Sequence, residues 1–332
     1  MKIGMVSKFP EQEDGIAIYS ESLCGELDGL GIGVVRIGDK LSTAADYQAD
    51  FKSLFLKSQL RQIIEKESLD LLHIQYVAPH FGKFNLNLGL LLALSQKVPV
   101  VVTLHEVHTA ASNLKEKVLC FLQKLIVKES DAVIVHTRQQ KEYIQLRCRK
   151  KDVVRILHGL MLRQMHKLKG KSLLFFGMLN YGKGVEYLIR AMNELPDFTL
   201  TVAGKAITPD YEQIIRVAAS ENKLGNVRLD FRWVPEEEKW RLIENADVMV
   251  FPYVWAPYQS GTLHNAFSCG VPVVVADAGA IAEVVKDYRC GRVVEQRSPK
   301  AIAAAVKGVL SNYSLYQQGI QAYREAANWS KV

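Results

Sequence analysis

The chain has 332 residues, 48% hydrophobic and 23% charged, with a formal net charge of +7. That is an ordinary soluble composition, long enough for two domains of roughly 150 residues each, and its positive balance admits nucleotide phosphates, lipid head groups or nucleic acid as partners. The five cysteines, Cys24, Cys120, Cys148, Cys269 and Cys290, are odd in number and form no C-x-x-C, which argues against a disulfide framework or a zinc site and fits a reducing compartment.

The opening run Lys2-Ile3-Gly4-Met5-Val6 has a strand pattern rather than that of a signal peptide. The longest apolar run, residues 86–94, is broken by Asn87 and Gly89 and is too short to span a bilayer. A cytoplasmic location is expected. Apolar runs recur at residues 3–6, 34–37, 71–74, 98–103, 132–135 and 153–157, with amphipathic stretches between them; Ile16, Tyr19, Leu23, Leu27 and Leu30 keep helix spacing. Strands rich in Val, Ile and Leu, separated by helices, predict a parallel sheet covered on both faces. Gly29-Leu30-Gly31-Ile32-Gly33 follows a helix and precedes a strand, the reverse of a dinucleotide fingerprint, so it reads as a helix stop and support for NAD chemistry is lost.

His105-Glu106-Val107-His108 follows the strand pattern at 98–103 and lacks the spacing of a zinc helix; a polar contact to a ligand at the strand end is the better reading. His136 and His158 also sit at strand ends. No D-x-D pair of the kind that holds a metal nucleotide occurs, so a metal-independent site without cofactor is expected. Residues 114–128 give an amphipathic helix with Val118, Leu122, Leu125 and Ile126 on one face and Lys115, Lys117, Lys124 and Lys128 on its flanks. Together with Arg147, Arg149, Lys150 and Lys151 it could touch an anionic membrane surface, or form a solvated basic face. Nucleic-acid binding lacks aromatic interleaving and a recognisable module.

The pattern pauses over residues 158–171, read as a link, then resumes at 173–176, 199–203, 227–231, 248–251, 271–276 and 292–294. A second doubly wound unit follows, and two such units would face a central cleft at the carboxyl ends of their sheets. Gly177-Met178-Leu179-Asn180-Tyr181-Gly182-Lys183-Gly184 lies between a strand and an amphipathic helix at 185–195, where backbone amides and Lys183 could cradle an anion; a solvated lysine in a turn is the plain alternative. Farther on, Tyr258-Gln259-Ser260-Gly261-Thr262-Leu263-His264-Asn265 reads as a loop opening a short helix that stops at Gly270. Ser260 is a good N-cap and Gly261 leaves bare backbone for a ligand, so the helix start is a candidate phosphate site. Residues 312–329 form a last helix with Tyr313, Tyr316, Ile320 and Tyr323 on one side; it could cap the second domain or cross back to the first. The predicted domains are 1–160, 161–311 and this helix at 312–332.

The order of Asp14-Gly15-Ile16-Ala17-Ile18-Tyr19, His73-Ile74-Gln75-Tyr76, Val102-Thr103-Leu104-His105-Glu106, Val133-Ile134-Val135-His136-Thr137 and Ile156-Leu157-His158-Gly159 resembles the retaining GT-B glycosyltransferases of family 4. Phe175-Phe176-Gly177 through Lys183-Gly184, Val202-Ala203-Gly204, Ala246-Asp247 through Pro252, and the Tyr258 stretch through Gly279 and Glu283 extend the likeness over nearly the whole chain. It implies a GT-B fold of two Rossmann-like domains, the second binding a nucleotide sugar and the first a glycan, lipid-linked or small-molecule acceptor. By the same resemblance Lys183 would serve the diphosphate, the amides near Gly261 and Thr262 a phosphate, and backbone at Trp233 and Val234 the base, with Asn180 and Ser260 also on the donor side. Asn265 would meet the ribose, His105 the donor sugar, and the Gly15 turn would close over the diphosphate.

Two features depart from the family pattern. Its two glutamates, separated by seven residues, are replaced here by Pro257 and Asn265, and no basic residue precedes Lys183 at Met178, Leu179 or Asn180. Losing one of two phosphate cations costs on the order of a few kcal/mol of transition-state stabilisation. The expectation is a metal-independent retaining glycosyltransferase, cytoplasmic or peripheral at the inner membrane face. The alternatives are a non-catalytic GT-B protein that binds a sugar nucleotide or assists another transferase, and an epimerase or phosphorylase on the same architecture.

Overall fold

The computed structural model describes residues 1–10, 14–82, 87–109, 113–150, 152–222, 225–256 and 258–332, with Lys115 described in its backbone alone. Leu86, Lys151 and Pro257, singled out above, lie outside the described residues. The chain divides into two compact units, Met1–Gly159 and Leu160–Lys331. In the first, β1 (Lys2–Val6), β2 (Gly33–Gly38), β3 (Tyr47–Gln48), β4 (Leu71–Tyr76), β5 (Val100–Leu104), β6 (Ala132–Val135) and β7 (Val153–Arg155) form one sheet in the order β3-β2-β1-β4-β5-β6-β7. Every pairing is parallel. In the second, β8 (Ser172–Phe176), β9 (Thr199–Ala203), β10 (Val227–Asp230), β11 (Val248–Phe251), β12 (Val273–Ala276) and β13 (Gly291–Val294) are ordered β10-β9-β8-β11-β12-β13, again all parallel.

The strands are apolar because helices cover both faces. Val35, Ile37, Leu72, Ile74, Val102 and Val133 of the first sheet pack with Leu60, Ile63 and Ile64 of the helix Leu56–Glu67, and with Ile126 and Val127 of the helix Leu114–Glu129. Each such side chain, fully buried, contributes about 1.5–3 kcal/mol before chain entropy is counted. The expected doubly wound units are present. Strand order reverses between β1 and β4 in one sheet and between β8 and β11 in the other, and open α/β sheets bind ligands beyond the carboxyl ends of the strands at such points.

The expected helix stop at Gly31 is seen: the residue has φ 75°, and Ile32 N–H donates to Leu27 O at 3.0 Å. Two boundaries differ. The two-residue strand β3 carries no apolar run to announce it, and the helix expected at 185–195 is Val185–Ala191, tightening into a 3₁₀ turn at Met192–Glu194. The aperiodic stretch after His158 is held to the second unit by polar bonds, which leave no hydrophobic period. Leu160 N–H donates to Ala327 O, Arg163 N–H to Ser268 O and His166 N–H to Cys269 O, at 2.8, 3.0 and 2.7 Å. The last helix, Tyr313–Ala326, buries Tyr313, Tyr316, Ile320 and Tyr323 and packs on the helices Gly261–Ser268, Ala280–Tyr288 and Pro299–Ser311 of its own unit. No helix among the described residues is long and apolar enough to cross a membrane.

Candidate functional site

At the reversal point of the second sheet, β8 ends in Gly177, whose φ is 137°. Asn180 caps the 3₁₀ turn Tyr181–Lys183 by accepting from Gly182 N–H at 2.9 Å. Gly184 then turns left-handed at φ 60°, where a Cβ would stand 2.4 Å from Pro252 O, so only glycine lets the turn close against the end of β11. This closure carries Lys183 inward. Its ammonium sits 3.8 Å from the centroid of the Tyr253 ring and 5.0 Å from that of Tyr258, and the residue is 8% exposed. Burial alone disfavours the charge, but Tyr253 and Tyr258 outweigh it and hold the lysine pKa above its ordinary value. Among the described residues no carboxylate forms an ion pair with it.

The helix Gly261–Ser268 is linked to this lysine through Tyr253. Ser260 stands at the N-cap position with extended backbone, but the expected cap is not made, because its hydroxyl is engaged elsewhere. Ser260 Oγ hydrogen-bonds with Tyr253 Oη at 3.1 Å and Thr262 Oγ1 at 2.9 Å. The amides of Gly261 and Thr262 donate to no partner among the described residues, and a Cβ at Gly261 would meet no protein atom within 4 Å. An uncapped helix start and a buried cation are thus joined through Tyr253, whose ring meets Lys183 and whose hydroxyl meets Ser260. The helix stops at Gly270, φ 73°, as expected. Asn265 is half-buried, and its side chain makes no hydrogen bond among the described residues.

The other second-unit residues named in the sequence follow the carboxyl ends of strands of the same sheet. Gln259 ties the loop down, donating to Ala280 O at 2.9 Å and pairing with His264 Nε2 at 3.1 Å. Glu283 is buried in the first turn of the helix Ala280–Tyr288. Trp233, 42% exposed, and buried Val234 follow β10 at the same carboxyl end of the sheet. Leu179 is fully buried and Met178 exposed, so nothing basic stands at the positions before Asn180. Tyr253 was missed in the sequence. Its signal was its place two residues beyond β11, at the reversal point.

In the first unit, Gly15 is exposed and begins the helix Gly15–Gly29, capped by Asp14, which accepts from Ile16 N–H at 2.8 Å. Asp14 also meets Lys8 at 3.0 Å and His80 at 3.1 Å. Burial pushes its carboxyl up, but His80 and Lys8 outweigh that and hold it well below the usual carboxylate range. His105, His136 and His158 surround the buried ring of Tyr19, with centroids 4.8, 5.7 and 5.0 Å from it. Burial drives these imidazoles toward the neutral form: His158 is pulled down to about 3, His73 to about 4, and His105 well below its ordinary value, neighbouring histidines adding to the effect. His105 Nε2 lies 2.8 Å from Gln75 Oε1.

The basic helix Leu114–Glu129 is amphipathic as expected. Leu122, Ile126 and Val127 face inward, so its apolar face is spent on its own core. Leu114, Lys117, Phe121, Lys124 and Lys128, spaced three and four apart, form the exposed stripe. The side chain of Lys115 lies outside the described residues.

The family described as glycosyl transferases group 1 matches residues 162–326, and the glycosyl transferase 4-like domain matches residues 17–158. An uncharacterized glycosyltransferase of Methanocaldococcus jannaschii is 36% identical over 147 residues, 43% of this chain and 36% of that protein. A glycogen synthase of Mycobacterium tuberculosis is 30% identical over 158 residues, 46% of this chain and 37% of its own. The matched stretches thus span little more than a third of the length of these curated relatives. Among solved structures, sucrose-phosphate synthase from Thermosynechococcus elongatus shares the fold with a TM-score of 0.77 at 19% identity, over 99% of this chain and 95% of that one. An Anabaena protein solved in complex with UDP-glucose aligns with a TM-score of 0.73 at 16% identity, over 99% and 96% of the two chains. With its two halves matched in this order and both sheets wound as described, the chain belongs to the group 1 glycosyl transferases of GT-B fold.

Proposed function

We propose that this protein transfers a glycosyl group from a nucleotide-sugar donor to a glycan, lipid-linked or small-molecule acceptor, with retention of configuration and without a metal ion. One observation carries the reading: Lys183, buried against Tyr253 and Tyr258 without an ion-pair partner among the described residues, is linked through Tyr253 to Ser260, which precedes the uncapped amides of Gly261 and Thr262. A departing nucleoside diphosphate gains negative charge, and preorganised N–H groups with a lysine stabilise that charge most in the transition state. The bond between the anomeric carbon and the phosphate oxygen breaks, the acceptor oxygen bonds to the same face of that carbon, and the acceptor proton passes to the departing phosphate. Asn180 shapes the lysine turn, Asn265 is assigned to the ribose, Trp233 and Val234 to the base, His105 to the donor sugar and Gly15 to the diphosphate. The Anabaena structure with UDP-glucose supports a nucleotide sugar as donor.

A thermal-shift panel of UDP, GDP and ADP with their common sugars tests this. A ligand at a hundred times its dissociation constant stabilises the native state by about 2.7 kcal/mol. One diphosphate family is expected to raise the melting temperature, and silence across the panel would sink the proposal. A second reading, a non-catalytic GT-B protein, is favoured by Asn265 in place of a carboxylate and by the missing base before Lys183. Donor binding with neither hydrolysis nor transfer would select it.

The exposed stripe of the helix Leu114–Glu129 supports peripheral attachment to an anionic membrane on its cytoplasmic side. Phe121 and Leu114 supply apolar contact, and Lys117, Lys124 and Lys128 supply charge.

A further inference from the structure

His73 and Gln75 alternate on β4, so both side chains leave the same face of the first sheet. Met5 of β1 lies in register with His73, and Thr103 of β5 with Gln75. Four contacts join these residues to His105. Gln75 Nε2 lies 3.3 Å from Met5 Sδ and 3.2 Å from His73 Nε2; Thr103 Oγ1 lies 2.7 Å from His73 Nε2; and Gln75 Oε1 lies 2.8 Å from His105 Nε2. Gln75 and Met5 are fully buried, so solvent does not satisfy them.

The orientation of the Gln75 amide decides what His105 can do. A thioether carries no proton and can only accept, so the group facing Met5 Sδ is the amide NH₂; a carbonyl oxygen there would set lone pairs against lone pairs. The second amide hydrogen then goes to His73 Nε2, which is therefore the bare nitrogen of His73. The amide oxygen is left to face His105, and an oxygen can only accept. His105 Nε2 therefore carries the proton, and in the neutral ring Nδ1 holds the lone pair. Nδ1 makes no hydrogen bond among the described residues.

We propose that Gln75, its amide fixed by Met5 and His73, is a positioning residue that holds His105 as the Nε2–H tautomer, so that Nδ1 is presented as a hydrogen-bond acceptor for a ligand hydroxyl. The identity of that hydroxyl as one of the donor sugar rests on the function proposed above; the tautomer does not. A carbonyl or phosphate oxygen finds no donor at this ring, whereas a sugar hydroxyl can donate to Nδ1. The neighbours Tyr19, His136 and His158 crowd the ring and disfavour an imidazolium that could donate from both nitrogens.

Nitrogen-15 spectra of the free protein at pH 7.5 test the assignment, with His105 signals identified by their loss in His105→Gln. A protonated Nε2 and a bare Nδ1 are expected in the wild type; the reverse pattern overturns the proposal without any variant. In Gln75→Glu, nearly isosteric, the acid can give its proton to His73 Nε2 and still turn an oxygen to His105, so the tautomer should persist. In Gln75→Met the acceptor is gone and the Nδ1–H form should become populated. A protonated Nδ1 in Gln75→Glu overturns the proposal even if the methionine variant does not fold. No nucleotide is present in these measurements, so their failure leaves the Lys183 site standing, and failure of the nucleotide panel leaves them standing.

Discussion

A lysine only 8% exposed, resting on two phenol rings with no carboxylate pairing among the described residues, is a poor investment for stability and a good fit for an anion. Lys183→Ala is accordingly expected to weaken binding of the nucleoside diphosphate by about 2–3 kcal/mol, roughly 30- to 150-fold in Kd by calorimetry, the range for a hydrogen bond to a charged group. Lys205→Ala, at an exposed position beyond β9, should change it little. Equal losses would argue against the cradle. Lys183→Met should leave the melting temperature of the free protein level or higher while abolishing the ligand-induced rise; a fall of several degrees would mark the lysine as structural. The buried histidines make a separate prediction. His73, His105, His136 and His158 all have pKa values below that of an unfolded histidine, near 6.5, so between those values the unfolded chain binds more protons. Their stabilising effect is whole above about pH 6.5 and is lost as the pH falls toward 4, by up to about 1.4 kcal/mol per pH unit for each. The Asp14 carboxyl works in the same direction but only below its unfolded value of 3.8. Urea unfolding at pH 7.5, 6 and 5 should show the decline, with a shallower slope in His158→Gln. Flat stability across that window would contradict the neutral imidazoles.

At the scale of elements, the short helix Gly261–Ser268 is open at one end and closed at the other. Its start leaves amides free because the Ser260 hydroxyl is held by Tyr253 and Thr262. Its far end is closed by Gly270 and by Arg324 of the last helix, whose guanidinium donates to the carbonyls of Phe267 and Ser268 and, at 2.7 Å, to that of Arg163. Arg324→Met should therefore cost about 2–4 kcal/mol in urea unfolding, since buried carbonyls lose a charged donor. The nucleotide-induced rise in melting temperature should nevertheless survive, because the open end is untouched; loss of both together would mean that the last helix shapes the phosphate site itself. Sequence made the helix, its glycine stop and its place before a buried strand legible, since each follows from local residue types. It did not reveal that Ser260 would leave the cap unmade. An N-cap preference is a statement about a free hydroxyl, and Tyr253, seven residues earlier, reaches that hydroxyl only through the fold.

Across the whole chain, apolar runs separated by amphipathic stretches were enough to read two parallel sheets, because strands covered on both faces have little choice of residue. The two-residue β3 and the hydrogen-bond chain from Thr103 to His105 were not legible, since both depend on register between strands rather than on any run of residues. The basic helix shows the same limit. Periodicity found its apolar face but not which side a membrane could meet, and the sheet has taken that face: Leu122, Ile126 and Val127 are buried. The attachment proposed above would therefore use the opposite stripe, where Phe121 is 60% and Leu114 78% exposed beside Lys117, Lys124 and Lys128. Each lysine near an anionic surface contributes about 1 kcal/mol, so reversing one charge in Lys124→Glu should weaken association by about 2 kcal/mol, roughly thirtyfold. Phe121→Ser should weaken it on neutral and charged lipid alike, while raised salt should act on the charged lipid alone. Co-sedimentation with phosphatidylglycerol-containing vesicles, against phosphatidylcholine vesicles and at two salt concentrations, separates these contributions. Binding unaffected by Lys124→Glu, or no preference for the anionic vesicles, would leave this stripe as a solvated face and remove the structural ground for placing the protein at a membrane.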